Sequence, residues 1–142
     1  MSETTVTPEI DVQEEQQETR TMYELIGGES RLRELVDRFY DLMQLEGDFA
    51  GIHAMHPKPN DGSRDKLFMF LSGWMGGPNL FIERFGHPML RARHLPFAIG
   101  DAERDQWMAC MRQAMAEEGV DPALGAGLEQ ALSGTADWMR NR

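Results

Sequence analysis

The chain has almost no cysteine: Cys110 alone excludes an intramolecular disulfide and a thiolate metal cluster. It also lacks long hydrophobic runs, and no stretch approaches the length of a membrane-spanning helix. Positive charge is scarce. Against 24 Asp and Glu stand 14 Lys and Arg, for a formal net charge of −10. A chain so acidic repels phosphate backbones and anionic lipid, so neither nucleic acid nor a membrane is an expected partner. Residues 1–20 have no basic start and no apolar stretch, so no secretory signal is expected and a cytoplasmic location is. Paired catalytic carboxylates, a Ser-His-Asp arrangement and a phosphate-binding glycine loop are not evident either. Gly27-Gly28 and Gly76-Gly77 read as helix stops.

What is present fits one domain of 142 residues, long enough to bury a real core. Residues 1–20 are polar and acidic, which predicts a disordered arm ahead of a folded domain over 21–142. Thr21 can cap a short helix through Tyr23, Leu25 and Ile26. Leu32, Leu35, Val36, Phe39, Tyr40 and Met43 then fall on one helical face. Phe49 and Ile52 form a short apolar turn before the loop HPKPNDG. A second strong helix is expected from about Ser63 to Met75, broken by Gly76-Gly77-Pro78. Asp101 is placed to cap a helix carrying Trp107, Met108, Met111 and Met115. Asp121-Pro122 opens a last one with Leu124, Leu128, Leu132, Thr135 and Trp138. No segment alternates apolar and polar as a half-buried strand would. The expected class is all-α, with about four substantial helices.

Chemistry concentrates in GHPMLRARHLPF, Gly86 to Phe97. His94 lies between Arg91/Arg93 and Leu-Pro-Phe, and Pro96 places it near the end of its helix. One imidazole, apolar contact from Leu95 and Phe97, and nearby cations for carboxylates are what a haem requires. No CxxCH occurs, so such a haem would be held non-covalently. The 11 methionines suit a core moulded around a planar ligand, and equally suit ordinary packing between helices. Periodicity alone would make His94 a structural histidine, Trp107 a core tryptophan and Tyr40 a core tyrosine with its hydroxyl at the rim.

Four separated motifs occur together: FYDLM (Phe39 to Met43), FLSGWMGGP (Phe70 to Pro78), GHPMLRARHLPF and ERDQW (Glu103 to Trp107). In this order and spacing the chain resembles a truncated haemoglobin of group II, from about Tyr23 to about Glu118. The resemblance implies a two-over-two helical sandwich around haem b, with iron held by His94. It implies Tyr40 and Trp107 as distal hydrogen-bond donors. His53, thirteen residues after Tyr40, corresponds to a residue in the corner of the pocket, whereas His56 is expected in solvent. Ser63 and Leu67 match the two distal-helix positions that face the ligand. Lys66, Arg91 and Arg93 are alternatives for the haem propionates. Phe70 and Phe97 are candidate haem-packing aromatics. Cys110 is expected to be buried and structural.

Donors aimed at a bound diatomic ligand slow its release, since each charge-assisted bond contributes roughly 1.5–3 kcal/mol. The expected ligands are O2, NO, CO or peroxide. The expected chemistry is redox: oxidation of nitric oxide to nitrate, or turnover of peroxide or peroxynitrite. No flavin or NAD motif is visible, so the reductase would be a separate partner. The alternatives are a gas sensor or scavenger acting through a protein contact, and a haem-free helical interaction domain. A monomer or a homodimer is expected, with no pattern that requires the latter.

Overall fold

The computed structural model describes residues 20–142, and all its regular elements are helical. The acidic arm expected over residues 1–20 lies, but for Arg20, outside the described residues. Helix α1 spans Met22–Ile26. Thr21 caps it by accepting from the Glu24 N–H at 3.1 Å while the Glu24 carboxylate reaches back to Thr21, a complete capping box. Gly27 ends it in the left-handed region at φ 112°. Of the expected Gly-Gly stop only Gly27 is one. Gly28 already belongs to α2, Gly28–Leu45.

Every residue predicted for the apolar face of α2 is buried, and Leu42 joins them. A 3₁₀ turn at Gly47–Phe49 and helix α3, Ala50–His53, then bury Phe49 and Ile52. Helix α4, Asp61–Trp74, starts two residues before Ser63 and buries Phe68, Leu71 and Ser72. Of the apolar residues predicted from spacing there, Leu67, Phe70 and Trp74 are only half-buried. Short helices α5, Leu80–Phe85, and α6, Leu90–His94, precede α7, Asp101–Glu117, and α8, Pro122–Trp138.

Two caps qualify the sequence reading. Asp121 opens α8 as expected, accepting from the Leu124 N–H at 3.2 Å. At α7 the cap is Gly100 rather than Asp101, and the Glu103 carboxylate accepts from the Gly100 N–H at 2.7 Å. The acidic residue three places on was present, but one register earlier than expected. On α8, Leu128 and Leu132 are buried while Trp138 is 64% exposed, so the predicted apolar stripe stops short of its last member.

Helix α2 packs on α4 and on α7, and α7 packs in turn on α8. The result is one helix pair, α2/α4, laid over a second, α7/α8. Phe39, Leu32, Leu35, Met43, Leu71, Met75, Met111 and Leu128 fill the space between them. Helix α1 closes one end, where the Tyr23 N–H donates to the Met75 carbonyl at 3.0 Å. Its Tyr23 ring lies flat against Gly77, where an added Cβ would come within 2.5 Å of the ring. The Gly76-Gly77 pair is thus a seat for α1 as well as a helix stop. Among the described residues, no helix is long and apolar enough to cross a membrane.

Candidate functional site

Helix α2 delivers Tyr40, 4% exposed, one residue beyond Phe39 at the centre of the core. Phe39 sits edge-on to Tyr40 at 5.1 Å and to Trp107 of α7 at 5.0 Å. A single ring therefore fixes both candidate donors, and aromatic pairs in this geometry hold one another in orientation. Cys110, one turn beyond Trp107, is buried and donates its thiol to the Phe39 carbonyl at 3.2 Å. Burial pushes that thiol up to about 12, so it is the structural cysteine its apolar neighbours suggested. Burial likewise holds the Tyr40 phenol protonated well beyond its ordinary range. Tyr40 is then a donor at any physiological pH.

The histidines divide differently from expectation. His56 is not in solvent. It is half-buried, its Nδ1 lies 2.8 Å from the Ile52 carbonyl, and its ring stands edge-on to Tyr40 at 5.5 Å. His53 is half-buried too, and its Nδ1 is a buried atom with no hydrogen-bond partner among the described residues. Of the two, His56 is the one in ring contact with Tyr40.

Arg64 was not singled out by the sequence, yet it organises this region. From the first turn of α4 its guanidinium donates to Asp41 at 2.8 Å, to Asp37 at 3.3 Å, to the Asp37 carbonyl at 3.2 Å and to Asn60 at 2.9 Å. It also lies 5.8 Å above the Tyr40 ring. Gln106 performs a similar task beside Trp107, accepting from the Ile52 N–H at 3.2 Å and tying α3 to α7. The sequence signal for both was weak: an ordinary charge and an ordinary amide, defined only by partners far along the chain.

Helix α6 ends with His94, half-buried, its Nδ1 2.6 Å from the Leu90 carbonyl. A carbonyl can only accept, so Nδ1 is the donor, and in the neutral ring Nε2 is the nitrogen with the lone pair. This is how a metal-binding imidazole is oriented. Among the described residues no three His, Cys, Asp or Glu side chains gather into a metal site. Haem would bring its own donors and ask the chain for one more, which the His94 Nε2 could supply. Leu67, Phe70 and Trp107 are half-buried, and Leu95 and Phe97 are 54% and 40% exposed. Phe70 makes an edge contact with Phe81 at 6.5 Å, and half-buried Ser63 lies one turn before Leu67 on α4. The donor set and its surroundings fit the group.

The structure separates the three candidate cations. The Arg91 guanidinium donates to the carbonyls of Trp138 at 2.6 Å and Arg140 at 3.1 Å, turned toward α8. Lys66 lies 5.7 Å over the Phe85 ring and Arg93 5.3 Å over Phe81, and these two rings are 4.9 Å apart. Lys66 and Arg93 thus approach one pair of rings; Arg93 Nε also donates to the neighbouring Pro88 carbonyl at 2.6 Å, whereas the carbonyls that hold Arg91 lie at the far end of the chain. Beside α6, a cavity of about 550 Å³ is bordered by Phe70, Leu90, Arg91 and Trp138. Tyr40 and Trp107 do not line it.

Comparison with known proteins agrees with this geometry. Residues 21–141 match the family described as bacterial-like globin. A group 2 truncated haemoglobin of Bacillus subtilis, YjbI, is 38% identical over 120 residues, which is 84% of this chain and 88% of that protein. A cold-adapted truncated haemoglobin of Pseudoalteromonas haloplanktis superposes with a TM-score of 0.84 at 45% identity, over 87% of this chain and 99% of the other. A group II 2-on-2 haemoglobin of Agrobacterium tumefaciens gives 0.83 at 42% identity, over 87% and 96%. This chain therefore belongs to the bacterial-like globin family, in its group II truncated haemoglobin branch, and binds oxygen through haem.

Proposed function

We propose that this protein holds haem b non-covalently on His94, releases O2 slowly, and uses the retained ligand for redox chemistry. The observation that carries the reading is the Nδ1 contact of His94 with the Leu90 carbonyl, which presents Nε2 as an oriented ligand. Haem supplies a ferrous centre that binds a diatomic gas and exchanges single electrons. Lys66 and Arg93 are the cations to meet its propionates, and Leu67, Phe70 and Phe97 the surfaces to pack on it. Ser63 and Leu67 face the ligand from α4.

The protein's part on the distal side is donation. The Tyr40 phenol stays protonated through burial, and Phe39 holds it and the Trp107 N–H in place. Both can donate to charge that develops on the outer ligand atom, and a dry setting strengthens such bonds. His56 stands against the Tyr40 ring, and His53 brings a buried ring nitrogen in need of a partner. A ligand retained this way is poorly suited to delivery and well suited to oxidation of nitric oxide. One O2, one NO and one electron give one nitrate ion, the electron coming from a separate reductase.

The test begins with absorption spectra of the purified protein, ferric, dithionite-reduced and reduced with carbon monoxide. A Soret band that shifts with carbon monoxide and is lost in His94→Ala is expected. No band in the parent after reconstitution with haemin overturns the reading. For the distal side, Tyr40→Phe deletes one donor while keeping the ring. Stopped-flow displacement of O2 by carbon monoxide should show release faster by at least about tenfold, since one charge-assisted bond of roughly 1.5–3 kcal/mol is lost. An unchanged rate removes Tyr40 from the mechanism. Nitrate formed from NO by the oxygenated protein, sustained by a reductase, separates turnover from simple scavenging.

A further inference from the structure

We propose that Asn141 is a positioning residue for His94, clamping from beyond α8 the turn that ends α6 and so fixing the direction of the imidazole. The proposal rests on His94 being the haem ligand.

Helix α6 has little of its own to hold it. It is five residues long and buries none of them. It starts from Met89 at φ 48°, a strained left-handed conformation for that residue, without a side-chain cap. Asn141 supplies the side-chain contacts that hold the following turn, and the Arg142 N–H adds a backbone bond to the Ile99 carbonyl at 3.1 Å. The Asn141 side-chain N–H group donates to the Phe97 carbonyl at 2.8 Å and to the His94 carbonyl at 3.3 Å. Its side-chain carbonyl accepts from the Ile99 N–H at 3.0 Å, and its backbone N–H donates to the Ile99 carbonyl at 2.8 Å. Asparagine suits the position because a short amide offers two donors and an acceptor together. Aspartate would keep the acceptor and lose both donors.

The clamp is itself anchored. Asp137 of α8 accepts from Arg104 of α7 at 2.7 Å and from Arg140 at 2.9 Å, and Arg140 reaches Asp101 at 2.9 Å. Arg91 ties α6 to the Trp138 and Arg140 carbonyls. The start of α7, the exit of α8 and α6 are therefore one connected body, and the His94 ring is tied to it by the Nδ1 contact with the Leu90 carbonyl. A shift of the His94 carbonyl would carry the whole imidazole with it. The backbone that carries the His94 ring is thus held by a residue 47 positions away.

The test compares haem-loaded parent, Asn141→Ala, Asn141→Asp and Asn141→Gln, with Arg142→Ala as a neighbouring control. The readouts are the iron–histidine stretching band of the ferrous ligand-free protein by resonance Raman, haem transfer to excess apomyoglobin, and amide exchange at Ile99. Asn141→Ala and Asn141→Asp should both shift or broaden the band and speed haem transfer by about tenfold, the size set by losing one to two ordinary hydrogen bonds. Faster exchange at Ile99 is expected in Asn141→Ala, and a band closer to the parent in Asn141→Gln. The Asp variant keeps the test decisive where the Ala variant fails to fold. A parent-like band and transfer rate in Asn141→Asp overturns the positioning role. A band that survives His94→Ala instead overturns the assignment of the ligand, so the two failures are distinct.

Discussion

Burial beside Tyr40 lowers the pKa of His56 more than anything else does, and the neighbouring His53 and His94 add to it, against the opposing bond to the Ile52 carbonyl. A histidine whose folded value lies below its unfolded one binds protons more readily when the chain is unfolded. Its neutral form supports the fold fully above about pH 6.5, and that support is lost progressively as pH falls below it. The groups that face it are the Tyr40 ring, the Ile52 carbonyl, His53 and His94. His56→Phe keeps an aromatic edge against Tyr40 and removes the titration. The variant should lose less melting temperature than the parent between about pH 7.5 and about pH 5.5. Equal losses in calorimetry would place the acid sensitivity elsewhere. His94, Tyr40 and Trp107 stood out in the sequence only through the four motifs that together resemble a known family; by periodicity each looks like an ordinary structural or core residue. His56 and Arg64 did not, since a histidine in a proline-rich loop and an arginine near a helix start look like solvated side chains. Only the fold brings Tyr40 between them.

At the scale of elements, the long helices were legible because α2 and α7 each carry a continuous apolar period. The ends were less so: the α7 cap moved by one residue, and α4 began two residues early. The double role of Gly76-Gly77 could not be read locally, because the ring that needs it arrives from α1. Any Cβ on Gly77 would stand 2.5 Å from Tyr23, and the ring cannot yield without lifting α1. Gly127, inside α8, has nothing within 4 Å of its missing Cβ. Gly77→Ala should therefore destabilise by about 1–3 kcal/mol through overpacking, whereas Gly127→Ala should stabilise by about 0.5–1 kcal/mol through helix propensity. Urea titrations of the two variants give the answer. A neutral Gly77→Ala would mean that α1 is not seated on that glycine.

Across the whole molecule, charge is segregated rather than merely negative. Arg31, Arg33, Arg38, Arg64, Arg104, Arg112 and Arg140 each have a carboxylate partner. Lys66, Arg84 and Arg93 have none among the described residues and lie instead over the Phe81 and Phe85 rings. A protein of net charge −10 thus keeps a cationic corner beside α6, where Glu83 is the only acid between residues 80 and 97. Two propionates entering that corner would meet charges that no internal partner has neutralised, and the surrounding acidity would repel them elsewhere. If Lys66 and Arg93 act in this way, Lys66→Ala/Arg93→Ala should speed haem transfer to apomyoglobin several-fold at low salt. Electrostatic range falls from about 10 Å at 0.1 M to about 3 Å at 1 M ionic strength, so the difference from the parent should shrink as salt is added. Arg112→Ala, which breaks an ion pair with Glu129 between α7 and α8, serves as the control and should leave transfer unchanged. A several-fold effect that persists undiminished at 1 M salt would point to lost packing over Phe81 and Phe85 instead, because aliphatic stems and ring contacts are not screened. The salt series therefore separates the charge of these two side chains from their bulk.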